Sequence, residues 1–272
     1  MLDRIRIVLI GTGHPGNCGA TARAMKTMGL GHLAFVTPRC DPFDEEAQAR
    51  ASGAEDILNS AGMFESLDQA VHDCTLVVGC SARSRTLPWP MISPRELSRR
   101  LPSELKGRGD APGKVAIVFG REDSGLSNDE LQRCNQHVHI QANPGYSSLN
   151  LAAAVQVLCY ECRQGWLEAE SDSGNVALDE TALEKAKGSE AAHEETPFGV
   201  TWDHPLASHD DLERFFTHLE TSLIRSGFHR PDNPRQLMAR LRRLYLRARL
   251  DTVEVNILRG MLTEFDKHTP ND

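Results

Sequence analysis

No stretch of this 272-residue sequence is long and apolar enough to resemble a membrane span. Its opening, Met1-Leu-Asp-Arg-Ile-Arg, runs straight into a strand-like pattern with no apolar signal-peptide core. Both absences predict a cytoplasmic protein without a membrane partner. Basic charge is not in excess either: 30 Lys and Arg stand against 38 Asp and Glu, a net charge of −8. That balance argues against a chain-wide nucleic-acid surface. Disulfide pairing is not expected, because the seven cysteines are scattered and odd in number. Cys159 and Cys162 form a C-x-x-C, but no second pair accompanies it and it falls inside a helical pattern. Packing rather than metal binding is expected there.

What charge there is lies unevenly. Between Glu168 and Glu195 nine acids face only Lys185 and Lys187, among Ser, Gly and Ala. This composition predicts a flexible acidic linker over 167–196. From Arg235 to Arg249 six arginines occur with no acid. They sit in a helical module, 197–272, in which Leu212, Phe215, Phe216, Leu219 and Leu223 mark one helix. Leu237, Leu241 and Leu244 mark a second, with Arg240, Arg243 and Arg247 on its opposite side, and Leu258, Met261, Leu262 and Phe265 a third.

Residues 1–166 alternate short apolar runs with helical patterns. Strands are expected at Ile5–Ile10, Leu33–Val36, Leu76–Gly79, Val115–Phe119 and His137–Ile140, and helices over Ala22–Met28 and after the capping-box serines Ser66 and Ser127. Such alternation predicts an α/β domain: a mostly parallel sheet with helices on both faces. Ligands in such sheets sit beyond the carboxyl ends of the strands. The loops Gly11–Gly19, Gly79–Arg85, Gly120–Gly125 and Ala142–Ser148 are therefore expected to lie together.

The loops carry polar groups suited to chemistry. Asn143-Pro-Gly-Tyr-Ser-Ser-Leu-Asn150 opens a helix, Leu151-Ala-Ala-Ala-Val, that is apolar on nearly every side. A helix of that kind is expected to be buried, with free N–H groups beside Ser147 and Ser148. Gly11-Thr-Gly-His-Pro-Gly16 has dinucleotide-fingerprint spacing, but Val36-Thr-Pro-Arg39 lacks the acid that should follow the second strand. Asn17 and Arg23 near the start of the next helix suit a phosphate or polar substrate. Phe119-Gly-Arg-Glu122 puts a carboxylate on a glycine turn, and Arg83 and Arg85 follow Ser81 in a further loop.

Together, Asn17 and Arg23, Phe119–Glu122 and Tyr146–Asn150 resemble the three motifs of the SPOUT-superfamily RNA 2'-O-methyltransferases. Ala24–Gly29, Ser81–Pro90, Asn143–Gln156, Leu241–Leu244 and Asn256–Gly260 narrow the resemblance to the tRNA (cytidine/uridine-2'-O)-methyltransferases acting at position 32 of the anticodon loop. The resemblance implies a trefoil-knotted SPOUT domain working as a homodimer on tRNA. It implies S-adenosylmethionine bound by Cys80, Ser81, Ala82, Gly120, Ile140, Ser147, Ser148 and Leu149. It implies an active site of Asn17, Glu122, Ser148 and Asn150, with Arg23 entering from the other subunit. Gly11, where relatives often carry Glu, and Cys18, in place of a larger apolar residue, depart from the pattern.

Two rival readings remain at this level. A degenerate RNA-binding relative would have lost Arg23, Glu122 or Asn150, and all three are present. A nicotinamide-dependent oxidoreductase would need the acid missing after Val36.

Overall fold

The computed structural model describes residues 2–81, 89, 91–107, 111–177 and 204–268. Seven parallel strands, β1 (Ile5–Ile10), β2 (His32–Val36), β3 (Gly62–Phe64), β4 (Leu76–Cys80), β5 (Met91–Ile92), β6 (Val115–Phe119) and β7 (Gln136–Val138), form one sheet in the order β3-β2-β1-β6-β4-β7-β5. The central strands are nearly continuous apolar runs because both faces are covered. Along β1, Ile5, Ile7 and Leu9 point into one cluster and Val8 and Ile10 into the other.

The first face carries α1 (Pro15–Met28), α2 (Glu45–Ala51), α3 (Glu55–Asn59), α5 (Pro94–Lys106) and α7 (Leu151–Ala177), with Met25, Leu58, Leu101 and Val155 in its core. The second carries α4 (Leu67–Val71) and α6 (Asn128–Gln132). Ser127 and Glu130 form the expected capping box at α6. At α4 only half of it forms: Ser66 accepts from Gln69 N, while the Gln69 side chain accepts from Glu65 N instead.

β7, which follows β5 in the chain, lies between β4 and β5 in the sheet. The expected trefoil crossing falls with residues 82–88 and 90, between β4 and β5, which lie outside the described residues. So do 178–203, which include most of the expected linker. The part of it that is described, 167–177, continues α7 without a break. Arg95 reaches from α5 to both Glu161 and Glu168, holding α7 beyond Trp166.

The C-terminal module consists of α8 (His209–Arg225), α9 (Leu237–Ala248) and α10 (Thr252–His268) around Leu212, Phe215, Phe216, Leu246 and Val255. In α9 the inward face is only partly the one expected: Leu241 and Tyr245 pack against the core. Leu244 is exposed and Leu246 buried, and Arg242 turns in, 2.7 Å from Glu213 and over the Phe216 ring. The neighbouring acid on α8 redirects the helix, which a pattern of leucines alone could not show. Among the described residues no helix is long and apolar enough to cross a membrane.

Asp73, just before β4, ties the sheet edge together by accepting from Arg6 at 2.7 Å and Lys114 at 2.8 Å. Burial by itself raises its carboxyl, but the two cations outweigh that and hold it well below the usual carboxylate range. A depressed folded-state value contributes stability that is complete above the unfolded value and is lost as pH falls through the folded one. Asp73→Asn is expected to cost about 1–3 kcal/mol at pH 7 in urea unfolding. The difference from wild type should narrow only below pH 4.

Candidate active site

Three of the strand-end loops meet through one amide. The α1 N-terminus has Pro15 in its first turn and no side-chain cap from His14, leaving backbone N–H groups to be satisfied from elsewhere. Glu122, on the turn after β6, takes that place. Its carboxylate accepts from Gly13 N at 3.1 Å and from Asn17 Nδ2 at 3.1 Å. The other end of the Asn17 amide, Oδ1, accepts from Asn150 Nδ2 at 2.9 Å. Asn150 Oδ1 in turn caps α7, accepting from Ala152 N at 2.9 Å and Ala153 N at 3.3 Å. The result is a directed relay from Glu122 through Asn17 to Asn150. Burial works to raise the Glu122 carboxyl, but the bond from Asn17 and the backbone donors of Gly13 and His14 outweigh it, so Glu122 is ionised at neutral pH.

The turn carrying Glu122 is built by glycine. Arg121 and Gly125 pair across it, with N···O distances of 2.8 and 3.2 Å. A Cβ on Gly120 would lie 2.1 Å from the Gly125 carbonyl carbon, so only glycine fits. Gly11 has φ +59°, with the Arg121 side chain packed above its Cα, and Arg121 is held in turn by both carboxylate oxygens of Glu130. This arginine occupies the place where a side chain at position 11 would stand, and the positive φ would strain any residue but glycine there.

Beside the relay lies an open cleft of about 210 Å³. Cys80, Ser81, Gly120, Ile140, Ser147, Ser148 and Leu149 all line it, and Glu122 forms part of its rim. Ala82 lies outside the described residues, as do Arg83 and Arg85. The cleft also takes in Phe119, Asp123, Leu126 and Ala154, which were not among the residues expected to bind cofactor or form the active site. Phe119 and Ala154 read as core residues in their elements; only their place at a strand end and a helix start brings them to the cleft. Desolvation pushes the Cys80 thiol up to about 12, so it remains a protonated thiol and not a nucleophile.

The loop before α7 is not inside the domain. Tyr146 is 82% exposed, and Ser147, Ser148 and Asn150 are exposed with it. Nor is α7 buried all round: Ala153, Tyr160 and Leu167 face outward, while Val155, Leu158, Cys159 and Cys162 face the core. Apolar composition overstated burial because alanine tolerates either environment. Burial raises both helix thiols, Cys162 to about 12.

Arg23 is not part of the relay. It lies six residues beyond Asn17 on α1, about a third of a turn away around the axis and roughly 9 Å along it. Its side chain is exposed. The fingerprint-like loop Gly11–Gly16 is also accounted for. Its Gly13 N–H faces the Glu122 carboxylate, an anion where a pyrophosphate would need to sit. Arg39, in place of the missing acid, donates to Gly11 O at 2.9 Å and pairs with Asp123.

Comparison with known proteins agrees with this geometry. The SpoU rRNA Methylase family matches residues 4–160, and the family described as tRNA methyltransferase TrmJ, C-terminal domain, matches 210–272. The tRNA (cytidine/uridine-2'-O-)-methyltransferase TrmJ of Klebsiella pneumoniae is 52% identical over 267 residues, 98% of each chain. A Pseudomonas aeruginosa relative, tRNA (cytidine/uridine/adenosine-2'-O-)-methyltransferase TrmJ, is 48% identical over 98% of this chain and 95% of its own. The crystal structure of TrmJ from Zymomonas mobilis superposes with a TM-score of 0.75 at 27% identity, covering 96% of this chain and 98% of that one. A probable methylase family protein from Haemophilus influenzae gives 0.57 at 41% identity, covering 98% and 97%. The all-parallel sheet, the strand-end cleft and a match along nearly the whole chain place this protein in the SpoU methylase family, within its TrmJ branch.

Proposed function

We propose that this protein methylates the ribose 2'-hydroxyl of cytidine or uridine at position 32 of the tRNA anticodon loop, using S-adenosylmethionine, in the cytoplasm and as a homodimer. The observation that carries the reading is the Glu122–Asn17–Asn150 relay at the edge of the cleft, in a chain about half identical to TrmJ enzymes along its length.

The cleft fits the cofactor by its chemistry. Ile140, Leu149 and Phe119 offer apolar surface for a base, and the loop backbones at 80–81 and 147–149 offer donors and acceptors. The ionised Glu122 complements a cationic sulfonium. When bound, S-adenosylmethionine would supply an electrophilic methyl group to the ribose oxygen, leaving as S-adenosylhomocysteine while the hydroxyl proton passes to solvent. The chain's own part is to position that oxygen and to stabilise the charge it develops. The relay holds Asn150 with its amide fixed, and Ser148 presents a hydroxyl from the adjoining turn.

Arg23 is assigned to the site of the other subunit, since its place on α1 directs it away from Asn17. Its role is to grip a phosphate and stabilise the developing alkoxide, because a guanidinium stays protonated at any working pH. Homodimerisation is supported by the open loop 143–150 and by the outward apolar residues of α7. The tRNA body is assigned to the C-terminal module, where Arg240 and Arg247 are exposed.

Incubating unmodified tRNA with the purified protein and S-adenosylmethionine, then mapping the 2'-O-methyl group by mass spectrometry, tests the reaction and its position together. A single methylated ribose at position 32 is expected; methylation at another nucleotide would keep the chemistry and overturn the position. Mixing Arg23→Ala with Glu122→Ala tests the shared site. Random exchange should restore about a quarter of wild-type sites, since half the dimers are mixed and each has one intact site. No recovery would place Arg23 in its own subunit's site. Asn17→Asp sets a second carboxylate against Glu122. It should raise the Glu122 titration seen by carboxyl NMR and slow methyl transfer about 100-fold or more.

A further inference from the structure

Trp89 belongs by sequence to the methyltransferase domain, two residues before β5, yet its indole lies in the core of the C-terminal module. It is 9% exposed and clusters with Leu212, Phe215, Phe216, Leu246 and Val255. Among the described residues it is the one member of that cluster from outside the C-terminal module. Its ring also stacks on His137, with centroids 5.3 Å apart and planes within 10°. His137 is a fixed platform. It is buried, burial lowers its proton affinity so that it is neutral, and its Nε2 donates to Leu131 O at 2.9 Å.

From His137 the path to the cleft is short and made of hydrogen bonds. The next residue, Val138, accepts from Ser81 N at 3.0 Å. His139 Nδ1 lies 3.1 Å from Ser81 O, and His139 N donates to Ile92 O at 3.0 Å. Ser81, where two of these connections end, and Ile140, which follows His139 in the chain, are walls of the cleft. β5 has little hold of its own here, since it pairs with β7 at only Met91↔His137 and Ile92↔Val138. An aromatic side chain with a large buried area, set beside that two-residue ladder, supplies the anchorage the ladder lacks.

We propose that Trp89 is a positioning residue through which the docked C-terminal module sets the β4 and β7 ends that wall the cofactor cleft. The module therefore contributes to cofactor affinity as well as to the RNA surface, although none of its described residues lines the cleft. Further contacts keep the module in place to do so. His209 N donates to Cys74 O at 2.9 Å, His209 Nε2 lies 3.0 Å from Asp68, and Arg249 donates to Thr75 O at 2.6 Å. This inference rests on the reading of the cleft as the S-adenosylmethionine site.

The test titrates S-adenosylhomocysteine into the full-length wild type, Trp89→Ala, Trp89→Leu and Trp89→Phe by calorimetry, with thermal melts alongside. The wild type is expected to bind. Trp89→Ala should bind about tenfold more weakly, and Trp89→Phe, which keeps the stack on His137, should recover most of the loss. In steady-state assays the KM for S-adenosylmethionine should rise in Trp89→Ala more than the KM for tRNA. If Trp89→Ala does not fold, Trp89→Leu against Trp89→Phe carries the comparison, the first weakened and the second not. Variants that melt earlier but bind S-adenosylhomocysteine like the wild type would overturn the proposal and leave the cofactor reading intact. A wild type that does not bind S-adenosylhomocysteine would overturn the cofactor reading itself, and this inference with it.

Discussion

The Asn17 side chain has one donor end and one acceptor end, and the site depends on both being committed. An ionised carboxylate can only accept, so Glu122 claims the NH2 group of Asn17 and turns its oxygen toward Asn150. Asn150 must then offer its own NH2, which leaves its oxygen to cap α7. The charge on Glu122 thereby dictates amide orientation two residues away, and with it how the third loop joins its helix. Each bond in such a series polarises the next, and loss of any member leaves a partly buried polar group unpaired. The parallel sheet gathers the loops at one edge, but gathering them does not set their angles. The relay does, and the turn carrying Glu122 can form because Gly120 lets backbone approach where a side chain would intrude.

The strands that build this arrangement were legible because burial on both faces leaves an unbroken apolar run. β3 and β5 were not, since two or three residues carry no period at all. The loop cluster followed from topology: strands all running one way must end on one edge. The relay itself was not readable from spacing, because Asn17 lies more than a hundred residues from both Glu122 and Asn150. Only the resemblance joined them beforehand. Burial of α7 was overread for a simple reason. Alanine and tyrosine are at home on a face that is open in the isolated chain, and composition does not distinguish open from covered. Trp89 gave no warning either, for nothing local marks a tryptophan whose hydrophobic cluster otherwise lies beyond residue 206.

One chain holds a cleft but not an enclosure. The turn at 143–150 stands in solvent, the arginine that matches the family's active-site position points elsewhere, and the helix behind the turn shows apolar side chains outward. These are three separate facts about α1, a loop and α7, and a second copy would answer all of them at once. An isologous pairing brings the same surfaces of two subunits together. On the proposed reading it would cover the outward face of α7 and offer each cleft an arginine from across the axis. Exclusion of water would follow from the same contact, which strengthens every charge interaction within the site.

Charge in the C-terminal module has to be counted by where it is used, not by how much there is. Six arginines between 235 and 249 suggest a strongly basic face. Arg242 is turned inward against Glu213 and Phe216, and Arg249 is committed to Glu104 and Thr75 of the methyltransferase domain. Those two build the module and fasten it; they cannot also release counterions from a phosphate backbone. The salt dependence of nucleic-acid binding scales with the number of phosphates neutralised, not with the number of arginines in a segment. Arg235, Arg240 and Arg247, which are exposed, are the better guide to the RNA-facing surface. The module is thus divided between two tasks. Arg242 builds the module, Arg249 fastens it to the methyltransferase domain, and on the proposed reading the exposed arginines attract the substrate.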